Sequence, residues 1–420
     1  MRHFNYKNGE LYAENVPVRE IAEKVGTPTY VYSAATLQHH FKALQAALGD
    51  LNVKIAFAVK SNTNSAVIAT LAALGAGADT VSEGEIRRAI RAGVAPEKIV
   101  FSGVGKTVRE LEYAVSQNIH QINIESIQEL ETLSEVATRL GKIQKIVFRV
   151  NPDVAAGGHD KISTGKKTSK FGISKERAFE LYARAETLNG VEPVGLAVHI
   201  GSQIIDLAPL KQAYEFLAQM VKDLRANGHK VSRLDLGGGL AAIYQEEIEG
   251  PDLIAWGKIV RAIIHPLDVE IEIEPGRIIT ANAGILLARS IVTKENGGRD
   301  FVVLDAAMND LVRPAFYEAY HQLLAVKEPV KGTNKMPTTI VGPICETGDT
   351  FAVDRLMEPV APDELVAFMS AGAYGFSMAS NYNSRPLAAE VMVNGDKWEI
   401  VRPRQTYDEI FGMEKIPDWK

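Results

Sequence analysis

Lys60 closes an apolar run, IAFAVKSN. An amine held in apolar surroundings loses basicity and becomes a nucleophile suited to Schiff-base formation; a strand-end lysine pointing into water is the alternative. Gly237, Gly238 and Gly239 follow the run LDL, where bare backbone N–H groups can nest an anion such as a phosphate. A tight turn is the competing reading. EPGR (274–277) packs a carboxylate, a turn and a guanidinium into one short stretch. Set against a pyridine nitrogen, Glu274 keeps that nitrogen protonated and makes the ring an electron sink; otherwise it forms a surface ion pair with Arg277. His199, in AVHIGSQ, can lie flat on a planar ring or sit in the core as a satisfied histidine.

These residues need elements to hold them. Short β-rich runs recur at KIAFAVK (54–60), ADTVSEGE (78–85), KIVFSG (98–103), QINIES (121–126), KIVFRVN (145–151), VGLAVHIGS (194–202), RLDLGGG (233–239) and EIEIEPGR (270–277). Between them lie amphipathic helical patterns, several ending at glycine. Strand–helix alternation implies a parallel sheet, and the repeat number and size suit a (β/α)8 TIM-type barrel; a doubly wound open sheet is the alternative. The barrel places chemistry at the C-terminal ends of its strands, where Lys60, Ser82, Arg149, His199, Gly237 to Gly239 and Glu274 to Arg277 fall. The last two βα loops of a barrel are a frequent phosphate site, and LGGG and EPGR occupy them.

After Arg277 the helical alternation stops. Runs such as GILLARSIVTKE, DFVVLDA, TTIVGP and AAEVMVNG, broken by Gly, Pro, Asp and Asn, read as a mainly β domain with one helical patch, RPAFYEAYHQ (313–322). The expected organisation is a barrel over residues 31–277 and a β domain built from residues 1–30 plus 278–420, the latter contributing substrate and dimer contacts. A long irregular stretch, 152–172, follows a strand end and suits a lid over the barrel mouth or a plain insertion.

Composition bounds the function classes. The chain has 420 residues, 46% hydrophobic and 23% charged, with net charge −6 and pI about 5.9. No basic run marks a nucleic-acid or polybasic membrane surface, and the apolar stretches are too short to span a bilayer. MRHFNYKNGELY has no apolar core of a secretory signal. The single cysteine, Cys345, excludes an intramolecular disulfide, suits a reducing cytoplasm and on its own reads as a small buried core residue. No zinc spacing is present, so no metal is expected.

AFAVKSN, HIGSQ, LGGG, EPGR, CETGD and GAYG (372–375), in this order and over roughly the whole chain, resemble the fold-type III pyridoxal-phosphate-dependent decarboxylases of basic amino acids. STGKKTSKFGI, MNDLVRPAFYEAYH and GPICETGD are similar to the branch acting on diaminopimelate. The resemblance implies that Lys60 holds pyridoxal 5'-phosphate through an imine and that His199 stacks on the ring. It also implies that Glu274 pairs with the pyridine nitrogen, and that Ser202, Gly237, Gly238, Gly239, Gly276, Arg277 and Tyr374 surround the phosphate. Cys345 would protonate the reacting carbon, completing a catalytic set of Lys60, Cys345 and His199. Cys345 and Glu346 would reach the partner's active site in a homodimer. The family often has Gly where Ala241 stands, which would reshape the phosphate cradle slightly.

With that resemblance, the expected reaction is decarboxylation of meso-2,6-diaminopimelate to L-lysine, the last step of lysine biosynthesis. The substrate carries a carboxylate and an amine at its remote end. Arg313 and Arg277 can clamp the carboxylate, Tyr317 can donate to it, Tyr374 adds a contact, and Glu346 can accept from the ammonium. A site for ornithine or arginine would leave the extra arginine unpaired. An alanine racemase is disfavoured by Glu274. A non-catalytic carrier and a phosphate-binding barrel without pyridoxal phosphate complete the alternatives.

Overall fold

A computed structural model describes residues 2–155 and 169–419. The chain forms two compact units, one of Gln38–Ala242 and Glu249–Ile279, the other of Met1–Leu37, Ile243–Ile248 and Thr280–Lys420.

In the first unit the strands Val53–Ala58, Gly77–Thr80, Ile99–Phe101, Gln121–Ile124, Gln144–Arg149, Val191–Ala197, Arg233–Asp235 and Glu270–Ile273 close into a barrel. All pair in parallel, and the last strand meets the first with Ile271 opposite Val53. The barrel therefore prevails over the open doubly wound sheet. Ile55, Phe57, Val100, Phe101, Ile146 and Phe148 are among the side chains that bury the strands. Each such side chain contributes roughly 1.5–3 kcal/mol.

Side-chain caps start most of the surrounding helices. Asn64, Ser82, Thr107, Ser126, Ser174 and Asp252 each accept a hydrogen bond from a first-turn N–H of the helix that follows. Each cap stabilises its helix by about 1 kcal/mol. Ser82 thus serves its own helix. The run expected to be strand through residue 85 stops at Thr80, and Ser82 opens the helix Glu83–Arg91.

The second unit joins both ends of the chain. Thr29–Ser33 lies between Gly284–Asn296, which runs antiparallel to it, and Ala389–Asn394, which runs parallel, inside a nine-stranded mixed sheet. Gly284–Asn296 is long enough to pair with Leu365–Phe368 near its start and with Arg299–Leu304 near its end. The N-terminal residues Phe4, Leu11, Val16, Val18 and Ile21 share one apolar cluster with Val31, Ile285, Leu287, Val391 and Val393. This is the mainly β domain built from the C-terminal part and the N-terminal segment.

A second element differs from expectation. The helical patch anticipated over 313–322 is the five-residue helix Arg313–Tyr317. Pro314 suits its first turn, and Glu318, at φ +53°, adopts the left-handed conformation that ends it. Of the loop expected over 152–172, residues 156–168 lie outside the described residues. Among the described residues no helix is long and apolar enough to cross a membrane, and no group of three or more His, Cys, Asp or Glu is arranged to hold a metal ion.

Candidate active site

Lys60 sits in a single 3-10 turn, Val59–Ser61, directly after the first barrel strand. Its Nζ lies 2.9 Å from Asp79 Oδ2, one residue before the end of the second strand. Asp79 is fully buried, and its other oxygen, Oδ1, has no hydrogen-bond partner among the described residues. The buried carboxylate fixes the position of the amine and keeps spare acceptor capacity beside it.

The last strand delivers Glu274 to the same end of the barrel. The Glu274 N–H donates to Gly237 O, and Ala58 N–H donates to Pro275 O, so the turns bearing Glu274 and Lys60 are stitched together. Gly276 permits this approach, because a Cβ there would sit 3.0 Å from both Ala58 Cβ and Ser61 Cβ. Glu274 is buried, which removes the surface ion-pair reading. Its Oε1 accepts from Ser102 Oγ at 3.2 Å and, weakly, from Asn123 Nδ2 at 3.4 Å. Asn123 Nδ2 also lies 3.1 Å from Asp235 Oδ2, and Gly237 N–H donates to Asp235 Oδ1 at 2.9 Å. Two buried carboxyls therefore share one amide donor.

Burial raises both of their pKa values, Asp235 to about 7 and Glu274 well above the ordinary carboxyl range. The mutual contact raises Glu274 and lowers Asp235, so the proton resides on Glu274. A carboxyl carrying its proton at neutral pH can donate to a ring nitrogen.

His199 follows the sixth strand. Gly238 N–H donates to its Nδ1 at 3.2 Å, which leaves the ring proton on Nε2. Burial, with the nearby cations Arg149 and Lys60, pushes its pKa well below the usual histidine value, so the ring is neutral. Arg277 is buried, and its Nε donates to Ser202 Oγ at 3.0 Å.

Glycine is required at 237–239 by close packing of backbone. A Cβ on Gly237 would lie 2.2 Å from Val198 O, one on Gly238 2.2 Å from Glu274 O, and one on Gly239 2.6 Å from Gly201 O. The run is thus more than a tight turn, since it brings bare backbone against His199 and Glu274. Ala241 fits without distortion, buried, with its N–H donated to Ile204 O at 3.0 Å. Amine, buried carboxyl, neutral imidazole and glycine backbone together fit pyridoxal phosphate.

The second unit orders the remaining candidates. Arg313 is buried, with Nη1 2.8 Å from His321 Nε2 and its guanidinium 4.7 Å from the centre of the Tyr244 ring. Tyr317 shares the short helix with Arg313 and meets Phe316 edge to face. Cys345 and Glu346 are exposed, so the buried-core reading of the cysteine does not hold. Their turn is nevertheless fixed. Asp349 accepts from Met308 N–H at 2.7 Å and Ile344 N–H at 2.8 Å, Asn383 Oδ1 accepts from Cys345 N–H at 3.2 Å, and Tyr382 OH donates to Glu346 at 2.7 Å. Tyr374 adopts a left-handed backbone at φ +55°.

Sequence reasoning passed over Asp79, Ser102, Asn123, Asp235, Tyr244 and His321. A signal existed for two of them. QIN, RLD and EIEIE alternate polar with apolar residues, which in a strand covered by helices outside means a polar barrel interior.

The family description "Pyridoxal-dependent decarboxylase, pyridoxal binding domain" matches residues 34–281. The diaminopimelate decarboxylase of Zymomonas mobilis is 47% identical over 420 residues, 99% of each chain. Among solved structures, diaminopimelate decarboxylase from Helicobacter pylori complexed with L-lysine is 37% identical with a TM-score of 0.90, covering 94% of this chain and 99% of that one. The M. jannaschii enzyme in co-complex with L-lysine is 34% identical with a TM-score of 0.93, covering 99% of this chain and 98% of that one.

Proposed function

Because this chain belongs to the pyridoxal-phosphate-dependent diaminopimelate decarboxylases, we propose that it converts meso-diaminopimelate to L-lysine and carbon dioxide with the residues assembled above. Bound at the barrel's C-terminal end, the cofactor supplies an electron sink for the pair left when carbon dioxide departs.

Lys60 provides the amine that attaches the cofactor, and Asp79 orients that amine. Glu274 holds a proton at the ring nitrogen, with Asp235 and Ser102 fixing its carboxyl. His199, kept neutral, would pack against the ring without adding a competing positive charge. Gly237, Gly238, Gly239, Ser202, Gly276, Arg277 and Tyr374 would surround the phosphate; with the Gly237 and Gly238 N–H groups given to Asp235 and His199, the hydroxyls and the Arg277 guanidinium would bind it.

Arg313 and Arg277 bind the substrate's remote carboxylate, Tyr317 donates to it, Tyr374 adds a contact, and Glu346 accepts from the remote ammonium. The Cys345 thiol delivers a proton to the carbon that has lost its carboxylate. Cys345 and Glu346 stand exposed on a turn held by Asp349, which suits side chains that serve the partner's site in a homodimer. A thiol that must stay reduced suits the cytoplasm.

The observation that carries the reading is the pairing at one barrel end of an amine on a buried carboxylate, Lys60 on Asp79, with a buried protonated carboxyl, Glu274. Arg313 favours diaminopimelate over ornithine or arginine, since a guanidinium can bind the second carboxylate that only diaminopimelate carries. Carbon dioxide release from meso-diaminopimelate, ornithine and arginine, each with added cofactor, tests this. Release from meso-diaminopimelate at a rate far above the other two is expected; preference for either of the others would refute it.

A further inference from the structure

Arg313 is useful only if its guanidinium plane is held, and the structure shows what holds it. Arginine is always a donor, so at 2.8 Å the Nε2 atom of His321 must be the acceptor for Arg313 Nη1. The ring's one proton then sits on Nδ1, which donates to Met369 O at 3.0 Å. His321 is buried, and the ring of Tyr244 meets it edge to face at 5.5 Å while lying 4.7 Å from the Arg313 guanidinium. A neutral imidazole anchored to a backbone carbonyl at one nitrogen thus grips the guanidinium at the other, and an aromatic face packs against the cation. The short helix alone could not do this. It has five residues and ends at Glu318, so His321 approaches Arg313 from the chain beyond the helix rather than from its next turn.

We propose that His321, backed by Tyr244, is the positioning residue that aims Arg313 at the remote carboxylate, and so sets affinity for a substrate carrying a second carboxylate. The inference rests on the reading of Arg313 given above. L-Lysine retains that remote carboxylate, because the carboxylate lost belongs to the reacting carbon. Product and substrate should therefore depend on His321 alike.

The test uses the cofactor-loaded enzyme and three measurements: KM and kcat for meso-diaminopimelate, inhibition by L-lysine, and inhibition by cadaverine, which has no carboxylate. His321→Ala should raise KM and weaken L-lysine about 10-fold or more, the worth of a hydrogen bond to a charged group. It should leave kcat, bound cofactor and cadaverine inhibition close to wild type. His321→Gln keeps an acceptor and should recover most of the loss. Tyr244→Leu, a second route should the alanine variant fail to fold, should raise KM in the same selective way. Arg313→Ala, run alongside, separates the two levels. If it raises KM and weakens L-lysine while the His321 and Tyr244 variants do neither, the positioning role is overturned and the Arg313 reading stands. If Arg313→Ala leaves both unchanged, the Arg313 reading falls and the positioning role with it. Equal loss of kcat, cofactor and melting temperature in His321→Gln would also overturn it, since that is the mark of a merely structural residue.

Discussion

In the proposed reaction attachment falls to Lys60, proton retention to Glu274 and proton delivery to Cys345. Cys345 is exposed on a turn whose backbone is pinned by Asp349 and Asn383, so replacing its side chain should leave the fold intact. Cys345→Ala should keep the bound cofactor and slow turnover by about 10²–10⁴, the usual contribution of a general acid. Steady-state kinetics beside a cofactor absorbance reading checks both halves, and wild-type turnover would remove the role. Lys60, His199 and Glu274 were legible in the sequence because a polar residue at the end of an apolar run is conspicuous. For Asn123 and Asp235 the polar–apolar alternation told only that they face the barrel interior, not that they touch. They sit inside short strands, and they meet only when the barrel brings together residues 112 positions apart. Nor could the spacing reveal that Asp79 would face Lys60, since that contact depends on neighbouring strands lying in register.

The elements that position these residues were legible to different degrees. All eight barrel strands fall on the β-rich runs read from the sequence, because alternating short strands and capped helices leave few other solutions. The helical patch at 313–322 was overread. Its apolar spacing continues past Tyr317, but the left-handed Glu318 breaks the helix and sends the chain towards the strand Leu323–Ala325. The glycine run is the most demanding element. Gly238→Ala places a Cβ 2.2 Å from Glu274 O and must displace that carboxyl's own backbone. We expect it to destabilise the protein by about 1–3 kcal/mol and to weaken cofactor binding. Gly105→Ala, whose Cβ would meet nothing within 4 Å, should stay within about 0.5 kcal/mol of wild type. Denaturant midpoints and cofactor titrations of the two variants provide the comparison.

For the whole molecule, the polar barrel interior sets how stability responds to pH. Burial raises Glu272 from 4.5 to about 8, and Asp235 to about 7. The folded protein therefore retains protons that the unfolded chain releases near pH 4–5. More protons bound in the native state means that stability falls as pH rises, here between about 4.5 and 8. Glu272→Gln removes one of these groups, so its melting temperature should decline less steeply over that window and should exceed wild type more at pH 8 than at pH 5. Parallel slopes for the two proteins would show that Glu272 is not the group responsible. The proposed function adds to this interior one covalent attachment, at Lys60, and a direct measurement tests it. After the cofactor-loaded protein is reduced with borohydride and digested, mass mapping should find the phosphopyridoxyl group on the peptide containing Lys60, and nowhere in Lys60→Ala. An unmodified Lys60 peptide from a fully loaded sample would contradict the assignment.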